Sequence, residues 1–301
     1  MPLDGYALAR WLAYGATLVF VGLVAVPALI RRAGPDDPAV AEGIRRRAER
    51  LGLTAAVVLL AANLFRLWFQ ARSFLEPGEP LGSDMLRLVI GTGIWGTGWK
   101  LQFALSLLLV VTFLSARLRS SRVLVGALVL GMVIVTPLTG HGAAWESPGW
   151  RGVALHAVHL GATGAWLGTL LALAVTAFPA LSALPAATRG PTLMALLGTF
   201  SPLALVGAAT MVVSGGLLAW HYVGTLQGFV AYGYGRWLLV KLGLLAGTVG
   251  LGWRNWRVLT PRVEQGEVHG LARSAGWELA IGALIVLVTA ILVALDPVGT
   301  G

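Results

Sequence analysis

The chain has no cysteine in its 301 residues. Disulfides, thiolate metal ligands and thiol nucleophiles are therefore excluded, and any metal must be held by imidazole, carboxylate, thioether or backbone oxygen. Charge is scarce as well. Asp, Glu, Lys and Arg make up 12% of the residues, against roughly 25% in a soluble domain. Neither a phosphate-binding glycine loop nor a G-x-S-x-G elbow occurs, so no nucleotide and no hydrolase chemistry is expected. The sequence reads as a non-enzyme.

Apolar residues fill that space, at 57% of the chain. A run of about 20 such residues spans a bilayer. Eight runs qualify, at 7–30, 52–71, 101–118, 123–140, 152–177, 193–220, 237–257 and 277–295. They predict an all-α polytopic membrane protein, a bundle of eight transmembrane helices. We divide it into a four-helix half over 1–140 and a second four-helix half over 141–301. The first run is too long for a signal-peptide core and no A-x-A site follows it, so it reads as the first helix.

The net charge of +9 would suggest nucleic acid in a soluble protein. Here lipid is the partner and no nucleic acid is expected, because Lys and Arg gather in the cytoplasmic loops of membrane proteins. With both termini outside, most of the 22 basic residues fall inside, among them Arg31, Arg32, Arg45, Arg46, Arg47, Arg50, Arg117, Arg119, Arg254 and Arg257. The basic stretch 33–52 reads as a cytoplasmic connector with a short surface helix. The apolar stretch 85–98 is too short to span, and predicts a re-entrant or interfacial helix with Trp95 and Trp99 at headgroup depth. Gly164 with Gly168, and Gly243 with Gly247, have the spacing that lets membrane helices approach closely.

Against this background four of the five histidines fall at one end of the bundle: His141, His156, His159 and His221. His156 and His159 are three residues apart, so both imidazoles share one helix face. They lie about 6 Å and 10 Å into their helix at roughly 1.5 Å per residue. Ionisable residues inside a membrane are costly and mark function, and converging imidazoles point to a metal or haem site. Glu146 is the nearest carboxylate by sequence. His141 and His221 also suit plain interfacial roles.

Lys241 lies near enough to the outer interface to snorkel. Asn255 and Glu278 fall at the inner ends of their helices, where Glu278 either pairs with Arg254 or Arg257 or gates an ion path. Trp166 is the one deep tryptophan. Arg66 and Gln102 are polar residues of the outer half with no assigned role.

The second half resembles the CopD family of bacterial copper-resistance inner-membrane proteins. The resemblance rests on H-x-x-H-L followed by W-x-G-x-L (His156, His159, Leu160, Trp166, Gly168, Leu170) and on FSPLAL at 200–205. It continues in Ser214 and Gly215, the stretch from Tyr234 to Lys241, Asn255, and the segment from Glu278 to Pro297. It covers about 140–297, with looser support before that. It implies copper handling at the inner membrane, usually movement from periplasm to cytoplasm, beside a small periplasmic copper carrier of the CopC type.

Three readings follow. The first is a copper permease with an outer site built on His156 and His159, to which His141, His221 and Glu146 add ligands or capture. The second is a membrane cytochrome b with bis-histidine haem. The third is a non-transporting membrane partner or sensor whose histidines are structural.

Overall fold

A computed structural model describes residues 5–33, 38–144, 149–181, 184–264 and 269–295. Among them every regular element is helical. Helix α1 spans Gly5–Ala33, α2 Pro38–Arg72, α3 Ser83–Gly91 and α4 Gly93–Leu114. The single turn α5 (Ala116–Arg119) leads to α6 (Arg122–Val135), and 3-10 turns follow at Thr136–Thr139 and His141–Ala144. Helix α7 (Trp150–Thr163) continues through a π-helical turn, Gly164–Gly168, into α8 (Thr169–Leu181). The long α9 (Ala186–Val223) and the turn α10 (Gly228–Ala231) precede α11 (Gly233–Arg254). A second π-helical turn, Asn255–Leu259, joins α11 to α12 (Thr260–Glu264), and α13 is His269–Leu292.

Among the described residues seven stretches are long and apolar enough to cross a bilayer: Gly5–Ala33, Pro38–Arg72, Gly93–Leu114, Arg122–Thr139, Trp150–Leu181, Ala187–Val223 and Gly270–Leu292. The protein is thus an all-α multi-pass membrane protein. The eighth expected span, 237–257, forms as α11. This helix has 22 residues, but its glycines and Lys241 dilute its apolar character, so the count of eight is approximate.

Two expectations shift in detail. The short helix expected over 85–98 ends at Gly91, and residues 93–98 belong to α4. Thr92 is extended and Gly93 has φ +67°, a left-handed conformation that glycine adopts without strain. This pair turns α3 back onto α4 so tightly that a Cβ at Gly96 would stand 2.6 Å from the Val89 carbonyl oxygen. The surface helix expected within 33–52 is not separate either. It is the first part of α2, where Arg45 and Arg46 pair with Glu42 one turn away and Arg119 reaches Glu49 at 3.3 Å. Pairs at i,i+3 and i,i+4 support a helix that has left the membrane.

The main apolar core draws on both halves of the chain, from Phe20, Leu59 and Leu109 to Leu173, Leu196 and Leu271. Of the two expected glycine pairs, one packs. A Cβ at Gly164 would meet the Val21 side chain, and one at Gly168 would strike the Leu18 carbonyl, while Gly22 faces the Gly168 carbonyl in return. The backbones of α1 and the π-helical turn therefore touch directly. Gly243 and Gly247 have open space beside them, so spacing alone did not make them a packing motif.

Candidate functional site

The histidine end encloses a cavity of about 160 Å³ between α1, the 136–142 turns, α7, α9, α11 and α13. His141, His156, His159 and Lys241 all line it, with Tyr14, Tyr222 and Tyr234. The shared face of His156 and His159 thus turns inward, toward protein rather than lipid.

Each ring is held by a specific partner. His159 Nδ1 lies 3.1 Å from the Met211 carbonyl oxygen and 3.1 Å from Ser214 Oγ. Gly215 makes room for this ring, since a Cβ there would stand 2.9 Å from His159 Cε1. His156 Nε2 is 2.8 Å from the Tyr222 hydroxyl, and a Cβ at Gly142 would come within 3.0 Å of its Cδ2. His141 enters from the turn after α6, its Nε2 donating to the Leu292 carbonyl at 3.4 Å. Its ring lies 5.8 Å from Tyr222 and 6.5 Å from Tyr234, centroid to centroid.

Helical geometry explains which side chains arrive and which do not. Consecutive residues point about 100° apart on a helix of about 3.6 residues per turn. Tyr222 therefore enters the cavity, and its neighbour His221 is exposed, edge-on to the Tyr222 ring at 5.1 Å. His221 is not brought into the cavity. Glu146 lies outside the described residues. Lys241, expected near the outer interface, lines the cavity. It shares a face of α11 with Tyr234 and Leu238, at i, i+4 and i+7, and points into the cavity. No ion pair among the described residues includes it.

The inner candidates are separate. Asn255 opens the second π-helical turn and donates through Nδ2 to Glu278 Oε1. Glu278 is buried and takes this amide as its partner in place of Arg254 or Arg257. It precedes the cavity-lining Ile285 by two helical turns, about 10 Å along α13. Trp166 sits in the first π-helical turn and packs on the main core. Leu18, Leu167 and Val286 form an apolar plug packed with Trp11, Tyr14, Leu160 and Leu279, and Leu18 and Val286 belong to the cavity wall. Both π-helical turns stand where candidate residues cluster, a placement frequent at functional sites.

Among the described residues no three His, Asp or Glu side chains stand close enough to hold one ion together. A cation in this cavity would rest on an imidazole pair aided by neutral donors. Ser214 and Tyr234 stood out in the sequence only as motif residues of the resemblance, while Tyr14, Tyr222 and the Met211 carbonyl were not singled out for the site. Tyr222 had a signal in hindsight, since it follows a histidine at a helix end. The Met211 carbonyl had none.

A multi-pass helical membrane protein with a histidine-lined cavity at one end is the class that fold and site define. Two family models match the chain: the N-terminal domain of copper resistance protein D-like proteins over residues 1–153, and copper resistance protein D over residues 194–292. Copper resistance protein D of Pseudomonas syringae pv. tomato is 31% identical over 195 residues. That match covers 62% of this chain and 62% of the relative, so the chain spans under two thirds of the length of the curated relative it matches. No solved structure matches. The chain belongs to the copper resistance protein D family. Copper thus comes with the family, and haem has no support. The N-terminal half, whose likeness was looser by motif, is matched over its whole length. The H-x-x-H pair falls between the two matched segments.

Proposed function

We propose that this protein takes up copper at the histidine cavity and moves it across the membrane as a permease without enzymatic activity. The observation that carries this reading is the convergence of His156, His159 and His141 on one cavity, in a chain of a copper-resistance family. His159 and His156 serve as the paired ligands. His141, from a separate element, adds a ligand or hands the ion inward, His221 serves capture, and Glu146, outside the described residues, stays the candidate carboxylate for the same task.

The path inward passes the plug of Leu18, Leu167 and Val286, with Trp166 beside it and Asn255 and Glu278 below. Lys241, facing the same cavity as the imidazoles, regulates the charge that the cavity accepts. The bias of arginine toward one end supports an orientation with the cavity facing the periplasm, in the bacterial inner membrane, with both termini periplasmic. Import is the direction, and a separate periplasmic carrier of the CopC type the donor, that likeness to the family implies.

The test is metal analysis of the purified protein together with copper uptake into proteoliposomes. Copper retained by the native chain, and lost from the His156→Ala/His159→Ala variant, supports the reading. Equal copper in both removes it. A Soret band in the same sample would transfer the site to haem.

A further inference from the structure

The N-terminal half holds a buried charge that neither lipid nor the apolar core explains. Arg66 on α2 is fully buried (0% exposed). Its Nη1 donates to Gln102 Oε1 at 2.6 Å and to Asn63 Oδ1 at 3.3 Å, and its Nη2 donates to Thr139 Oγ1 at 2.5 Å. No ion pair among the described residues includes it. A guanidinium inside a membrane bundle without a carboxylate is costly, and well-packed apolar residues in place of buried charges are often neutral or stabilising. Stability alone therefore does not account for an arginine here.

Its geometry does. The planar fork of arginine reaches two partners in fixed directions, which lysine does not. One arm is set against α2 and α4 through Asn63 and Gln102. The other grips Thr139, the last residue of the Thr136–Thr139 turn. Gln102 doubles the grip, since its Nε2 donates to Thr139 Oγ1 at 3.0 Å and to the Val135 carbonyl at 3.2 Å. The Thr139 hydroxyl, accepting twice, donates its proton to the Thr136 carbonyl at 3.2 Å. The backbone of α4 presses on the same turn, where a Cβ at Gly98 would lie 2.7 Å from Leu138 Cβ. Two residues past Thr139 the chain delivers His141 into the cavity, whose wall Thr136, Pro137, Gly140 and Gly142 also form.

We propose that Arg66, acting with Gln102 through Thr139, is a positioning residue that fixes the turn carrying His141 into the cavity. The N-terminal half then contributes to the histidine site without touching its ligand. This assignment rests on the proposed copper function for its consequence, and on the network alone for its geometry. The experiment separates the two.

The absence of native cysteine allows His141→Cys to serve as a single reporter. Its rate of modification by a water-soluble thiosulfonate is compared in the Arg66 chain, in Arg66→Lys and in Gln102→Glu. The last keeps an acceptor for Arg66 and neutralises its charge, but removes both Nε2 donors to the turn, so it remains informative if Arg66→Lys folds poorly. A rate change of at least threefold in either variant, beside an unchanged rate for Thr289→Cys on α13, is expected. Unchanged rates at 141 in well-folded variants overturn the proposal, whether or not the protein binds copper. For copper itself, Arg66→Lys should weaken binding about tenfold, as loss of a supporting contact does at metal sites. In a His141→Ala background it should add nothing, because residues acting through one another are not additive. Equal losses in both backgrounds assign Arg66 a general structural role and reject the positioning role.

Discussion

His159 Nδ1 stands 3.1 Å from the carbonyl oxygen of Met211. A carbonyl only accepts, so the ring proton resides on Nδ1. Ser214 Oγ, at the same distance, already gives its own proton to the Thr210 carbonyl at 2.6 Å and accepts as well. Nε2 is left with its lone pair, the arrangement in which imidazoles ligate metals while a second partner fixes the tautomer. The contact ties α7 to α9 and readies one ring nitrogen in a single step.

Loss of that support has a defined consequence. Ser214→Ala leaves the Met211 carbonyl in place and should weaken copper binding modestly, by up to about tenfold. Gly215→Val drives side-chain atoms into the His159 ring and should weaken it by about a hundredfold, the upper end for supporting residues. Isothermal titration of both variants checks the order. A Gly215→Val chain that binds like the native one would refute it.

Tyr222 and its neighbour provide an internal control. Tyr222→Phe removes the hydroxyl 2.8 Å from His156 Nε2 while keeping the buried ring, so copper affinity should fall with little change in melting temperature. His221→Ala, on the exposed side of the same helix end, should leave affinity within about twofold. Metal content after purification reads both.

Below the cavity, Glu278→Gln preserves an oxygen to accept from Asn255 Nδ2 but cannot carry charge. If Glu278 serves the inward path, uptake into proteoliposomes should drop at least tenfold while binding at the cavity is unchanged. Equal uptake by variant and native protein would leave Glu278 a packing residue.

Packing gives a prediction free of metal. Gly168→Val collides with the Leu18 carbonyl and should destabilise the bundle by about 1–3 kcal/mol, as overpacking does. Gly243→Ala and Gly247→Ala, with open space at both sites, should be neutral or raise stability by up to about 1 kcal/mol through helix propensity. Thermal unfolding in detergent distinguishes them.

Much of the fold is legible along the chain because lipid imposes it. Apolar length predicts where α1, α2 and α13 lie, since every backbone polar group must be paired within the segment. Legibility fails where one residue's backbone decides. Gly93 splits the expected interfacial helix from α4, and nothing in its neighbours marks it as left-handed. Lys241 was read as snorkelling because its depth is visible in sequence, whereas its direction depends on how α11 is rotated. Trp99 was read for its depth alone, and the sequence did not show that it is buried and donates to the Asn63 carbonyl at 2.8 Å, beside the polar network of Arg66.

The primary structure by itself determined the solvent, the helical class and the i,i+3 pairing of His156 with His159, because composition and helix period require no long-range contact. Tertiary packing alone decided that His141 and Lys241 join that pair while His221 does not. It also decided that Arg66 grips the turn before His141. Helix rotation and loop placement are set by contacts between segments distant in sequence, which no local pattern encodes.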